Sequence, residues 1–270
     1  MDAATRRSRF HELHAASALF VMPNPWDVGS AKLLEASGFE ALATTSQGFA
    51  WSIGKLDMQV TRDELVAHVD QLAAGVAVPL NVDSERCFPG EPGGVAETVR
   101  LLGEAGAAGC SIEDYDPATE AIDDASLSVE RVAEAVGAAR SFDPPLVLTA
   151  RAENHIRGVD DLDDTIARLV AYRDAGADCV YAPGLVDLGQ IEHLVSEVGV
   201  PVNVLALPSG PAIPELERMG VRRVSTGSLV AGAAFAALEG AAGELRGDGT
   251  SGYARARVSP ELLERAFGSR

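Results

Sequence analysis

The stretch Pro79-Leu-Asn-Val-Asp-Ser-Glu85 reads as a buried strand that ends in two carboxylates. Asp83 and Glu85 are two residues apart, so an extended backbone turns both side chains to one face and Val82 and Ser84 to the other. One helix later the chain repeats the pattern at Cys110-Ser-Ile-Glu-Asp114. Carboxylates gathered at the ends of neighbouring parallel strands repel each other unless a cation or strong donor sits among them. A hard divalent ion such as Mg2+, or Mn2+ in its place, is the natural partner.

Outward from this strand, short apolar runs alternate with segments of helical period along nearly the whole chain. Leu19–Met22 predicts a first strand, ended by Pro23-Asn-Pro25, with Asp27 as the N-cap of a helix to about Ser37. Ala41–Thr45 predicts the second strand, and Thr61-Arg-Asp-Glu64 is a capping box for a helix carrying Leu65, Val69 and Leu72. The opening stretch is the third strand. Cys110–Glu113, Pro145–Thr149, Cys179–Tyr181, 201–206 and 222–225 are the fourth to eighth, each followed by a helical segment. Gly38, Gly106, Gly176 and Gly220 close helices just before strands, as C′ glycines do.

Eight such units predict an α/β fold, a (β/α)8 TIM barrel. Residues 1–270 are read as one domain, with 242–270 a C-terminal extension holding a helix from Pro260 capped by Ser259. A doubly wound Rossmann-like sheet is the competing arrangement, but no G-x-G-x-x-G follows a strand and no P-loop occurs.

A net charge of -18 opposes nucleic acid or an anionic membrane as partner. Cys87, Cys110 and Cys179 lie in no metal-ligand spacing and form no even set, which points to a reducing compartment. The apolar run after Arg6, Arg7 and Arg9 is broken early by His11-Glu-Leu-His14, unlike a secretory leader. The longest strongly apolar stretch, Leu229–Leu238, is about half the roughly twenty residues of a membrane span. A cytoplasmic protein without membrane contact is expected.

In such barrels chemistry gathers where strands end. Those ends offer Thr45, Ser46, Gln47, Gly48 and Asp57, then Asp83 and Glu85, then Glu113 and Asp114, then Arg151, Glu153, Asn154 and His155. Single acids in such places are more often caps or ion-pair partners, but four on adjacent strands suggest a metal cluster. Arg151 either neutralises Glu113 or Glu153 or clamps a substrate carboxylate with its planar fork. His155 is a candidate rim residue, and Cys87 a candidate thiol beside Glu85. Ser209-Gly210 and Thr226-Gly-Ser228 could form a phosphate cup, although no basic residue accompanies them.

Taken together, Thr45-Ser-Gln-Gly48, Gly54-Lys-Leu-Asp57, Val82-Asp-Ser-Glu85, Ser111-Ile-Glu-Asp114, Thr149-Ala-Arg-Ala-Glu153 and Asp174-Ala-Gly-Ala-Asp178 resemble the isocitrate lyase/phosphoenolpyruvate mutase superfamily. The resemblance, over about residues 17 to 240, implies a barrel whose last helix packs on a neighbouring subunit in a homo-oligomer, a tetramer or dimer. It implies a Mg2+ site for a 2-oxo acid or its enolate. Asp83, Glu85 and Glu113 match the metal acids, and Asp57 an acid near the metal. Ser46 with the amides of Gln47 and Gly48 matches the carboxylate cradle, and Arg151 the anchoring arginine. Glu153 and His155 are further candidate substrate contacts by their place after the fifth strand.

The Lys-Lys-Cys-Gly-His loop of isocitrate- and methylisocitrate-type lyases has no counterpart, since Tyr115 to Leu127 contains no Cys, His or Lys. The expected activity is Mg2+-dependent cleavage of a C–C bond in a small 2-oxo or 2-hydroxy dicarboxylate through a pyruvate enolate. A P–C bond enzyme, of phosphonopyruvate hydrolase or mutase type, and a non-catalytic binding barrel are the alternatives.

Overall fold

The structure, a computed structural model, describes residues 1–268. The parallel strands β1 (Phe20–Met22), β2 (Leu42–Ala43), β3 (Leu80–Asp83), β4 (Gly109–Glu113), β7 (Val147–Arg151), β8 (Cys179–Tyr181), β9 (Val202–Leu205) and β10 (Arg223–Ser225) form one eight-stranded sheet in the order β1-β10-β9-β8-β7-β4-β3-β2. The Ala43 amide donates to the Pro23 carbonyl at 3.1 Å, bringing β2 back to the end of β1 and closing the cylinder. This is the (β/α)8 barrel expected from the strand–helix alternation.

The helices are α2 (Val28–Ala36), α4 (Arg62–Gly75), α5 (Gly94–Glu104), α6 (Ala125–Ala139), α7 (Leu162–Asp174), α8 (Leu188–Val198), α9 (Ile213–Arg218) and α10 (Leu229–Gly247). Their caps follow the sequence: Asp27 accepts from the Ser30 amide, and Thr61 and Glu64 form the reciprocal capping box. Gly38, Gly106, Gly176 and Gly220 all have positive φ, which a Cβ would disfavour. The helices press Leu65, Val69, Leu72, Val95, Val99, Leu102, Val132, Leu169 and Leu194 onto the outer faces of the strands. Beyond α10, α11 (Pro260–Phe267) starts at Ser259, whose side chain accepts from the Leu262 amide, and packs on α2. The last two residues of the anticipated extension 242–270 lie outside the described residues.

Three elements were not anticipated. Helix α1 (Ala3–Ala15), capped by Asp2, lies under the barrel floor. Its Phe10 and Leu13 join Phe20, Met22, Ala41, Ala43, Ala108 and Val147 in a second apolar cluster. Helix α3 (Ser46–Ser52) begins at once after β2 because Thr45 is extended and its hydroxyl accepts from the Gly48 amide. The segment after β4 folds back as a hairpin, β5 (Tyr115–Asp116) with β6 (Ala121–Ile122).

Among the described residues no helix is long and apolar enough to cross a membrane. The barrel seam depends on Asn24: its amide nitrogen donates to the Thr44 carbonyl (2.6 Å), and its oxygen accepts from the Thr226 and Gly227 amides (2.8 and 2.9 Å). Asn24→Ala orphans these buried backbone groups and should cost about 2–3 kcal/mol in urea-induced unfolding. A loss below about 0.5 kcal/mol would show that the seam does not depend on this side chain.

Candidate active site

A cavity of about 280 Å3 opens at the ends of the strands, lined among others by Ser46, Gln47, Asp57, Asp83, Glu113, Arg151 and Glu153. At its centre lies Arg151, the last residue of β7. Its Nη1 is 2.8 Å from Asp83 Oδ1, its Nη2 is 3.1 Å from Glu113 Oε2 and 2.9 Å from Glu153 Oε1, and its Nε donates to the same Glu153 oxygen at 3.0 Å. Parallel register explains the meeting: Glu113 stands directly opposite Arg151, and paired residues on neighbouring parallel strands face the same side.

Alternation along β4 sends the next residue the other way. Asp114 points outward, where it accepts from the Tyr172 hydroxyl (2.7 Å) and the Glu153 amide (2.9 Å) and pairs with Arg168 (3.2 Å). Asp114 therefore braces the loop that carries Glu153 instead of lining the cavity.

Asp83 is held from three sides. Its amide donates to Thr44 Oγ1 at 2.8 Å, its Oδ2 accepts from the Ser46 amide at 3.2 Å, and Oδ1 faces Arg151. The expectation that Glu85 shares the face of Asp83 through strand alternation is corrected. The strand ends at Asp83, the Cys87 amide donates to the Ser84 carbonyl at 2.8 Å, and Glu85 turns at φ 50°. Ser84, fully buried, donates to the Ser111 carbonyl and fixes that turn. Glu85 remains close enough to feel Asp83 and Asp57, but it does not line the cavity.

Of the cradle read as Ser46 with the amides of Gln47 and Gly48, Ser46 and Gln47 line the cavity, while the Gly48 amide donates to the Thr45 hydroxyl at 3.3 Å. His155 also does not line the cavity; its Nδ1 is 3.6 Å from Asp160 and burial lowers its pKa. Cys87 is fully buried and its thiol is pushed up to about 12, so it has no thiolate to offer. The Thr226 and Gly227 amides are taken by Asn24, which removes them from any phosphate cup.

Several lining residues escaped the sequence reading. Arg157, six residues beyond Arg151, lies with its guanidinium 3.5 Å from the ring centre of Tyr115 and 3.6 Å from Glu153. Tyr181 sits with Arg151 5.3 Å from its ring centre and is held neutral by burial, its pKa pushed up to about 12. Asn203 and Arg223 lie deeper. An arginine on a helical turn and polar residues inside short apolar strands carry no local sequence signal. The hairpin after β4 is fastened by Arg86, which pairs with Asp116 and, at 2.7 Å, with Asp123.

Arg151 bridges three carboxylates here, and burial raises the proton affinity of two of them, Glu113 and Glu153, against its attraction. Burial pushes Glu113 well above the usual carboxylate range, with Arg151 opposing it. Burial and then Asp83 raise Asp57, whose Oδ1 has no partner, just as Glu113 Oε1 has none. Orphaned buried carboxylate oxygens among mutually repelling acids are a donor set that fits a hard divalent cation. Among the described residues, no three acidic, histidine or cysteine side chains are gathered in an arrangement ready to enclose an ion.

A model of the phosphoenolpyruvate phosphomutase family matches residues 10–246, and the chain belongs to this family, within the isocitrate lyase/phosphoenolpyruvate mutase superfamily. A Burkholderia cenocepacia J2315 structure, described as a lyase or mutase, is 47% identical, covers 99% of this chain and 97% of its own, and superposes with a TM-score of 0.93. An uncharacterised protein of Mycobacterium tuberculosis H37Rv is 37% identical over 226 residues, 82% of each chain. Oxaloacetate decarboxylase of Paraburkholderia xenovorans LB400 is 31% identical over 281 residues, covering 99% of this chain and 91% of its own.

Burial, then Asp83 and Asp57, push the Glu85 carboxyl up to about 8 from an ordinary 4.5. Metal-free folded protein therefore binds a proton there that the unfolded chain releases. The stabilisation is fully present below about 4.5 and is lost as pH rises through about 8. Glu85→Gln, uncharged throughout, is expected to flatten that decline in urea unfolding at pH 5 and pH 8 with EDTA present; identical pH slopes in both proteins would refute the assignment.

Proposed function

We propose that this protein is a Mg2+-dependent lyase or decarboxylase that breaks a C–C bond in a small 2-oxo or 2-hydroxy dicarboxylate through a pyruvate enolate. The observation that carries this reading is Arg151, part-buried at the head of the cavity and bonded to Asp83, Glu113 and Glu153. Its fixed donors face the space where an enolate oxygen would develop charge, without reorganisation at the moment of reaction. Similarity to an oxaloacetate decarboxylase over nearly the whole chain supports the same choice.

Asp83 and Glu113, which line the cavity, would hold Mg2+, with Asp57 and, behind the cavity wall, Glu85 adding negative charge beside them. The ion would supply positive charge to the developing oxyanion. The residues of the chain do the rest. Arg151 orients the 2-oxo carboxylate end, Glu153 fixes the Arg151 plane, and Asp114 fixes the backbone of Glu153. In decarboxylation the C3–C4 bond breaks, CO2 leaves, its electron pair remains on the enolate, and a proton is later added at C3. No base on a leaving hydroxyl is needed, which suits a hairpin lacking Lys, His and Cys.

Oxaloacetate and substituted malates, assayed with Mg2+ and with EDTA, test this directly. Turnover should need the metal, and Arg151→Met should lower kcat/KM at least about 100-fold. Activity that survives both Asp83→Ala and metal removal would sink the metal role. The family match to a phosphomutase favours one second reading, cleavage of a P–C bond. With phosphonopyruvate, phosphorus NMR would then show a new signal, and its absence removes that reading.

We also propose a homo-oligomer, dimer or tetramer. Helix α10 buries only Ala231 in its own chain, while Leu238 and Leu245 are 66% and 51% exposed. Sedimentation should give a multiple of 28.1 kDa, and Leu238→Asp should reduce it; a wild-type monomer at micromolar concentration would overturn this.

A further inference from the structure

The residues Glu113, Arg151, Tyr181, Asn203 and Arg223 stand in register across five successive strands, β4, β7, β8, β9 and β10. All five line the cavity, and because barrel strands tilt, the row descends from the last residue of β7 to the first residue of β10. Past Glu113, the row thus carries one guanidinium near its top and a second at its foot. The upper one, Arg151, has three carboxylate partners. Arg223 differs in kind.

Arg223 is 2% exposed. Its Nε donates to Asn203 Oδ1 at 2.9 Å, and its Nη1 lies 3.2 Å from His14 Nε2 on α1. His14 Nδ1 is 2.8 Å from the Phe10 carbonyl, so this nitrogen carries the proton and Nε2 accepts from Arg223. Burial and the neighbouring Arg223 hold His14 at a pKa of about 3, so the ring is neutral. Among the described residues no carboxylate lies within ion-pairing distance of Arg223, and none is an acceptor for its Nη2. A buried cation without a counter-ion is costly, and two neutral acceptors do not offset its charge. A structural strut between β10 and α1 would be made more cheaply by a neutral side chain.

We infer that Arg223, seated by Asn203 and His14 at the cavity floor, is a second anion subsite that binds the distal carboxylate of the substrate. This rests on the function proposed above and deepens it: the 2-oxo or 2-hydroxy end lies at Arg151 and the far carboxylate at Arg223. Three interstrand steps of about 4.8 Å separate the two residues along the wall, and both side chains point inward across a shorter chord. A dicarboxylate with carbons between its carboxyl groups extends from one guanidinium toward the other, which a two-carbon acid lacks the chain to do. Ser225, which accepts from the Asn203 amide nitrogen at 2.9 Å, fixes the amide so that its oxygen faces the guanidinium.

Lactate and malate share a head and differ in the distal carboxylate, so calorimetric titration of both, with oxalate and Mg2+ reporting the head site, tests the inference. Wild type should bind malate at least about 10-fold more tightly than lactate. Arg223→Met should erase that difference while leaving oxalate binding within about twofold, and Arg223→Lys should restore part of it. If wild type binds oxalate but prefers malate no more than lactate, or if Arg223→Met keeps the preference, the floor subsite is wrong while the proposed reaction stands. Failure of wild type to bind oxalate with Mg2+ would overturn the proposed reaction and this assignment with it. Should Arg223→Met not fold, crystals of wild type in bromide decide the matter: an anomalous peak at the Arg223 guanidinium supports the subsite, and bromide bound elsewhere but not there overturns it.

Discussion

The structure depends on one electrostatic constraint, a single largely enclosed guanidinium shared by three carboxylates. Arg151 bonds acids from β3, from β4 and from the turn after its own strand. Removing one carboxylate from such a group is tolerable, but removing the arginine leaves buried like charges facing each other. The surrounding hydrogen bonds serve this arrangement. Thr44 and the Ser46 amide aim Asp83, while Tyr172 and Arg168 hold Asp114, which in turn anchors the Glu153 amide. The charge is still unbalanced after all this, as the orphaned oxygens of Asp57 and Glu113 show.

Barrel geometry turns this local constraint into a shaped cavity. Parallel pairing places each inward residue beside its register partner, and tilt converts a row of partners into a descending path. Outside, the same strands present Leu80, Val82, Cys110, Ile112 and Leu148 to the helices, an uninterrupted apolar layer. Most of the polar strand residues thus face inward, where they cover one another and the cavity. Asp114 is an outward exception, met by Tyr172 and Arg168 of α7, while elsewhere the helices supply apolar complementarity through their leucine and valine spacing.

This division also explains what could be read from the residues alone. Strands buried on their outer face, glycine-ended helices and capping boxes follow from local pattern, so the eight units and the caps at Asp27, Thr61 and Ser259 were legible. The acids and Arg151 were legible because charge at the end of an apolar strand is unusual. Glu85 was misplaced because one residue with positive φ overrides alternation, and no local signal marked that turn. Helix α3 was missed because Thr45-Ser-Gln-Gly48 looks like a loop until Thr45 is seen to cap it. Arg223 was invisible for a different reason: its meaning lies in the missing counter-ion, which only tertiary packing reveals.

Helix α1 has a consequence for traffic through the protein. With Phe10 and Leu13 packed among Phe20, Met22, Ala108 and Val147, the lower end of the cylinder is stoppered, and the cavity is a blind well. Whatever enters must leave by the same mouth, at the ends of the strands where Ser46, Asp83 and Arg151 stand. A reaction that splits one molecule into two therefore has an imposed order of departure, in which the fragment nearer the mouth clears first and the one lodged at the bottom leaves last.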